Sequence, residues 1–499
     1  MSKLNFSEFL EEYKARLSNI FSSEDEKHSD SLQRGIEPAK LREITELSPL
    51  SAFIPSQYGG FGAHTQEALA MLEASSYESL PLSLMMGING ALFLQPIANY
   101  GSEEVKTEVY DRVINAGKMG GLMITEPDFG SDALKMQTSF TKNDDTYTIK
   151  GTKHWAGLTG MADYWLMTAR GEGKNGNLDR DISFFIHDTR NGGIEVQEVF
   201  NNLGLYMLPY GRNIVDIKVD SSHKLQPHST GITMMLDLLH RSRLQFPGMG
   251  MGFLRRMLDE AVDHCKTRFV GGQSLFNYEQ VRSRISEIQA YFTVCSAMCN
   301  YTGSNIHLED NTAKMDLEAN AIKSVVTDFM QRASQSLLQL TGAKGYRLDH
   351  IAGRSIVDSR PFQIFEGSND ILYQQISESL LKMMRRMKST NLYDFLSTYK
   401  FTSKSSDYFK EVLNFEIDVK MSQNKLVELG RAIGRMVSME FTIDLGAQGF
   451  NKDLIDSALH TLQDEINSIM RMFDVSGKAQ VVEDYQVDSS WFNLQSVNA

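Results

Sequence analysis

Cysteine is scarce in this chain, with three residues in 499: Cys265, Cys295 and Cys299. Three thiols cannot build a disulfide framework and their spacing fits none of the common zinc patterns, so stapled scaffolds are set aside and no metal is expected. Cys295 and Cys299 stand four apart in a helical pattern and read as core residues. Positive charge is also in deficit: 50 Lys and Arg against 63 Asp and Glu give a net charge of −13. That balance argues against a general nucleic-acid or anionic-membrane surface, although it does not speak to a local groove. Long apolar runs are missing as well, none approaching the roughly 18 residues of a membrane span. The opening "MSKLNFSEFLEEYKARL" carries acids from Glu8 onward and has neither an unbroken apolar core nor the Arg-rich, acid-poor look of a transit peptide. A cytoplasmic protein is expected.

What remains is an ordinary globular composition, 41% hydrophobic and 23% charged, long enough for several domains. Apolar residues spaced by three and four, as in "FSEFLEEYKARLSNIF", predict an N-terminal helical domain over 1–119 with a buried central helix. Short β-rich runs split by polar turns, among them "TYTIKGTKHW", "YWLMTAR", "ISFFIHD", "GIEVQEV" and "NIVDIKV", predict a β domain over 120–229. With no helices between the runs, the expectation is a small antiparallel sheet or barrel. Long helical segments return over 230–388 and predict a four-helix bundle. Residues 389–499 read as a helical extension whose "KLVELGRAIGRMV" could pack against the bundle, with a disordered end from Val481. The fold class is therefore mainly α with a central β domain.

Two stretches carry chemistry. The first is "LMITEPDFGSDALKMQTSF" followed by "YTIKGTKHWAGLTGMADYWLMTAR"; the second is "QLTGAKGYRLDHIAGRSIVDSRPFQIFEGSNDILYQQ". Thr125, Gly130 and Ser131 supply a hydroxyl, an unhindered backbone and a second hydroxyl at a strand end, suited to phosphate or ring atoms, though a T-E-P…G-S-D string alone is more often a polar turn. Trp155 on a strand is by default core. An isolated Arg243 is by default a solvated charge. "GMGMG", 248–252, lacks the strand and spacing of a dinucleotide loop and reads as small residues that let helices approach closely.

Together these stretches resemble the acyl-CoA dehydrogenase family of flavoproteins, whose signatures read roughly T-E-P-x-A-G-S-D, G-x-K-x-W-I-T, Q-x-x-G-G-x-G-Y and I-Y-E-G-T. The resemblance runs collinearly from about residue 10 to residue 387 and leaves the extension outside it. It implies an FAD site in which Thr125 contacts the isoalloxazine, Ser131 the diphosphate region and Trp155 the ring, with Ser368 a further contact. It also implies that Arg268, Gln339 and Gly342 reach the FAD of a neighbouring subunit, hence a homodimer or homotetramer. Arg243 and Gly367 are implied substrate contacts, Arg243 at the nucleotide end of CoA. The chain departs from the pattern in three places. Ala156-Gly157 replaces Ile-Thr and removes a hydroxyl near flavin N5, so that either Thr159 substitutes or the flavin is less constrained. His240 replaces an acidic neighbour of the Arg, and R-x-x-F-G reads R-F-V-G-G.

Glu366 stands between an apolar run (Phe362, Ile364, Phe365) and Gly367, with Ser368 placed to cap a helix from Asn369. Alone, such an acid reads as a favourable charge at a helix start. Removing the α-proton of a thioester needs a base of raised pKa, and an apolar wall raises it by disfavouring the charged form. Beside the flavin signatures Glu366 becomes that base. Some family members place the acid just before the Arg equivalent to Arg243, but that residue here is Ser242.

The function implied is an FAD-dependent acyl-thioester dehydrogenase of fatty-acid metabolism that converts acyl-CoA to trans-2-enoyl-CoA. Glu366 takes the α-proton and flavin N5 the β-hydride, and electrons leave to an electron-transfer flavoprotein or another acceptor. Alternatives are an enzyme acting on acyl carrier protein thioesters, a related flavin oxidase or monooxygenase, and a low-activity DNA-binding relative. The oxidase relatives commonly lack the glutamate. The extension's ten Lys and Arg against sixteen Asp and Glu, net −6, disfavour DNA. Acyl-chain length is expected to depend on Met85, Met86, Leu92 and Phe93.

Overall fold

Helix α1 (Phe6–Ile20) begins at a reciprocal cap in which the Asn5 side chain accepts from the Glu8 amide and the Glu8 carboxylate accepts from the Asn5 amide. Its apolar face, Phe9, Tyr13 and Leu17, packs on α2 (Thr65–Glu78). The computed structural model describes residues 5–21, 34–173, 175–418, 420–475, 480–486 and 489–491. Most of the tail expected to be disordered from Val481 lies outside these residues.

Helix α3 (Leu80–Asn89) is continued by a π turn, Gly90–Leu94, and a further helical turn, Gln95–Tyr100, and is buried along its whole length. Contrary to the sequence expectation, Leu80–Tyr100 is long and apolar enough to cross a membrane, but it forms the centre of the N-terminal helices. The π turn is the kind of interruption that re-aims side chains beside a functional site. Helix α4 (Glu103–Ala116) closes this layer on a Ser102 cap.

Seven strands follow: β1 (Gly120–Met123), β2 (Ser139–Asn143), β3 (Thr146–Gly157), β4 (Tyr164–Gly171), β5 (Ser183–Asp188), β6 (Ile194–Val199) and β7 (Tyr210–Asp220). They form one sheet in the order β1-β4-β2-β3-β7-β6, with β5 also on β4. The sheet is mixed rather than antiparallel, because β4 pairs in parallel with both β1 and β2. β1 is hidden in the sequence by its two glycines. A Cβ on Gly120 would lie 2.2 Å from the Phe93 ring and one on Gly121 2.5 Å from Trp165, so these positions accept no larger residue. The β3–β7 register shifts between Lys153 and Ala156, a bulge that sets Trp155 at φ +55°.

Four long helices then pack together: α5 (Gly231–Thr267), α6 (Glu279–Asn305), α7 (Asp316–Thr341) and α8 (Asn369–Met387). The "GMGMG" glycines act as spacers in α5. A Cβ on Gly248 or Gly252 would strike the α2 backbone, at 2.8 Å from the Leu69 carbonyl and 2.0 Å from that of Glu73, and one on Gly250 would lie 2.5 Å from Val326. Cys265 and Cys295 are buried and Cys299 partly so, all without disulfides. The extension supplies α9 (Gln423–Ala447) and α10 (Lys452–Val475), which pack on α6, α7 and α8 and join the same continuous core.

Candidate active site

A cavity of about 770 Å³ opens where α3, the β domain, α5, α7 and α8 converge. Its apolar wall on α3 is Leu84, Ile88 and Leu92, a stripe at four-residue spacing. Of the residues expected to set chain length only Leu92 faces it. Met85, Met86 and Phe93 are buried in the helical layer and absent from the lining, because the helix turns that face toward its neighbours.

Glu366 lies in this wall on a strained loop, with φ +53° followed by Gly367 at φ +91°. The loop is pinned through its backbone. Arg243 donates from Nε (3.0 Å) and Nη2 (2.7 Å) to the Glu366 carbonyl, and from Nη1 to Asn320 at 2.7 Å. The buried Lys323 donates to the Gly367 carbonyl at 2.8 Å and to Asn369 Oδ1 at 3.0 Å. Ser242 donates its hydroxyl to Glu366 Oε1 at 3.0 Å, whereas Oε2 is shielded from solvent and has no hydrogen-bond partner. Glu366 is half-buried and lines the cavity, with Oε2 its shielded oxygen. Burial pushes the Glu366 carboxyl above its usual range, against the opposing pull of Arg243, the Ser242 hydrogen bond and Lys323. Burial also lowers Lys323 to about 7, although Glu366 opposes it.

Arg243, expected at the nucleotide end of CoA, lines the cavity but is buried and commits three donors to the loop and Asn320. Ser368 occupies the N-cap position of α8 but makes no side-chain cap bond. The apolar wall is also narrower than expected. Phe365 and Phe362 pack with Phe246, whereas Ile364 is 56% exposed.

Across the cavity stand Thr125, Gly130, Ser131 and Trp155. Trp155 is 53% exposed, not core, and sits against Phe200 at 4.6 Å between ring centroids. Space is open beside Gly130, where a Cβ would meet nothing within 4 Å. Thr159 does not supply the missing hydroxyl, because it is buried and bonded to the Ala156 carbonyl and Asn213. Gly157 is instead crowded by Tyr210, whose ring would lie 3.3 Å from a Cβ there, and Tyr210 lines the cavity.

Sequence reasoning missed what joins the two signature loops. Glu126 of "TEP" accepts from Lys153 of "GTKHW" at 3.0 Å, with both side chains buried, and from the amides of Gln137 and Thr138. Burial lowers Lys153 to about 8, partly offset by Glu126. The His154 amide also donates to the Thr125 carbonyl at 2.8 Å. One signal was available: Lys153 falls in the buried phase of a strand that alternates Tyr147, Ile149, Gly151, Lys153.

Arg268, Gln339 and Gly342 do not reach this cavity. They are exposed at the C-terminal ends of α5 and α7, beside Phe269 (65% exposed) and Tyr346 (84%). The mouth of the cavity, on α7 and α8, carries Asp316, Glu378 and Lys382. Among the described residues, no cluster of His, Cys, Asp and Glu is arranged to hold a metal.

Three family profiles match the chain: acyl-CoA dehydrogenase, N-terminal domain over residues 8–116, middle domain over 121–216 and C-terminal domain over 229–381. The chain is 22% identical over 372 residues to the very long-chain specific acyl-CoA dehydrogenase, mitochondrial, of Macaca fascicularis, covering 73% of this chain but 56% of that relative's length. It is 25% identical over 336 residues to an acyl-CoA dehydrogenase of Bacillus subtilis (strain 168), covering 66% of this chain and 86% of the other. The crystal structure of an acyl-CoA dehydrogenase complexed with FAD from Bacillus anthracis superposes with a TM-score of 0.75 at 17% identity, over 99% of this chain and 90% of that one. That likeness in fold takes in the extension.

Proposed function

The chain belongs to the acyl-CoA dehydrogenase family, and from that premise we propose that it is an FAD-dependent oxidoreductase that introduces a trans-2,3 double bond into an acyl thioester of fatty-acid metabolism. The observation that carries this reading is the Glu366 carboxylate. Oε1 is fixed by Ser242, while Oε2 is desolvated and unpartnered in the wall of a cavity shared with Trp155. A carboxylate so desolvated is basic enough to accept a proton from the weakly acidic α-carbon.

The residues across the cavity suit FAD. Trp155 offers an aromatic face, Thr125 and Ser131 offer hydroxyls, and Gly130 leaves open space for a close approach. When bound, FAD supplies the acceptor for the β-hydride. Leu84, Ile88 and Leu92 line the path of the acyl chain and keep water from the reacting carbons, the Glu366 carboxylate receives the α-proton, and Ser242, bonded to Oε1, holds that carboxylate in place. The two electrons then pass to an electron-transfer flavoprotein or another external acceptor. Arg268, Gln339 and Gly342, exposed with Phe269 and Tyr346 outside the cavity, support a second subunit that completes the cofactor site in a homodimer or homotetramer.

The cavity mouth favours one variation on this reading. With Arg243 spent on the Glu366 loop, Lys382 is the remaining Lys or Arg among the lining residues, and it stands with Asp316 and Glu378. CoA carries several phosphates, so this mouth also suits a thioester held on an acyl carrier protein. The test is anaerobic bleaching of the flavin-loaded protein by a panel of CoA and carrier-protein thioesters of graded chain length. Rapid bleaching by members of one carrier class is expected, and absence of bleaching by every thioester contradicts the function.

A further inference from the structure

The extension carries two Gly-Arg pairs one helical turn apart on α9, Gly430-Arg431 and Gly434-Arg435. A Cβ on Gly430 would lie 1.9 Å from the Tyr373 carbonyl, so the backbones of α9 and α8 meet there and only glycine fits. That approach sets Arg431 on Asp370 at 3.1 Å and sinks Arg435 to 1% exposure between the bundle and α10.

Arg435 spends its whole fork inside. Nε donates to Glu465 Oε2 at 2.5 Å, Nη1 to the Tyr373 hydroxyl at 3.3 Å and Nη2 to Asp328 Oδ2 at 3.3 Å. Asp328 in turn accepts from Tyr373 (2.7 Å), from Gln363 (2.8 Å) and from Asn369 (2.8 Å). Gln363 and Asn369 are the residues three before and three after Glu366. Asn369 then accepts from Lys323, whose ammonium holds the Gly367 carbonyl. A continuous path of ion pairs and hydrogen bonds thus runs from the extension to the peptide that follows the base.

We propose that Arg435 is a positioning residue for Glu366, fixing the base loop through Asp328, Gln363 and Asn369. The physical argument rests on Asp328. A buried carboxylate is retained as an anion only while a cation and donors compensate it, and losing the cation drives it to protonate or to turn toward water. Either response takes an acceptor from Gln363 and Asn369 together. Glu366 holds φ +53°, a backbone state that for a residue with a side chain persists only where the surroundings over-determine it. Slackening both flanks therefore frees the base from its cavity geometry, although Arg435 touches neither the cavity nor Glu366.

The inference rests on the proposed role of Glu366 as base, and its test separates the two. Amide hydrogen exchange is followed over residues 361–372 in the full-length, flavin-loaded protein, alongside single-turnover bleaching and thermal melting. Arg435→Met is expected to speed exchange in that segment about tenfold and to slow bleaching without weakening thioester binding. Arg435→Lys keeps the cation and gives a smaller rise confined to the same segment; it carries the test where the Met variant does not fold. The control is Glu440→Gln, which removes the carboxylate capping the Lys404 and Ser405 amides within the extension. It is expected to lower the melting temperature and leave 361–372 unchanged. Unchanged exchange in the Arg435 variants, or an equal change in Glu440→Gln, overturns the positioning role. Faster exchange with unaltered bleaching also overturns the positioning role, whereas Glu366 as base is tested apart, by whether Glu366→Gln slows bleaching.

Discussion

Two hydrogen bonds from Arg243 to the Glu366 carbonyl and one from Lys323 to the Gly367 carbonyl hold the proposed base by its main chain. The side chain is thereby left with a single protein bond, from Ser242, at the sequence position where other members of the family place their acid. That bond favours the ionised carboxylate, against the burial that raises Glu366 above the ordinary 4.5. Bleaching requires the ionised form, so its rate rises with pH through the Glu366 titration. Ser242→Ala removes a stabiliser of the anion, and the acidic limb of the rate profile should move up by about one pH unit. A stopped-flow pH series checks this, and a limb unmoved or shifted downward contradicts it. Sequence singled out Glu366 as a candidate because its environment is contiguous: Phe362, Phe365, the glycine and the helix start all lie within eight residues. The partners of Arg243 were not legible, because the carbonyl of residue 366 and Asn320 are brought to it only by the packing of α5 on α7 and α8.

At the scale of elements, the Glu126–Lys153 pair fastens the loop after β1 to the bulge of β3, and so sets Thr125 and Trp155 on one side of the cavity. Removing one member leaves the other as an uncompensated buried charge. Lys153→Met should destabilise the protein by about 3–5 kcal/mol and lower flavin retention with it, measured as melting temperature and as the absorbance ratio of flavin to protein. A variant of unchanged stability and full flavin content would show the pair to be dispensable. The strands of the β domain were readable where β-branched and aromatic residues alternate, as in β3 and β7. β1 was not, because Gly120 and Gly121 answer to Phe93 and Trp165, which are close in space and distant in sequence. The parallel pairing of β4 with β1 and β2 escaped for a related reason. Strand content can be read locally, whereas the direction in which two strands meet depends on the path of the loops between them.

For the whole molecule, the N-terminal helices give the cavity its apolar stripe, the β domain gives the aromatic and hydroxyl side, and the bundle gives Glu366, the proposed base, and its clamps. The extension locks onto the bundle through the Arg435–Asp328 and Glu465–Arg332 pairs rather than forming a separate body. These layers meet around one cavity that Glu366 lines, so the account stands or falls on what the Glu366 carboxylate does. The direct measurement is single-turnover bleaching of flavin-loaded Glu366→Gln with the most reactive thioester of the wild-type panel. The substitution keeps size and polarity, and the protein should remain yellow and fully loaded while bleaching slows by at least about a hundredfold, the loss of a positioned general base. Bleaching at the wild-type rate would contradict the assignment of Glu366 and with it the proposed chemistry.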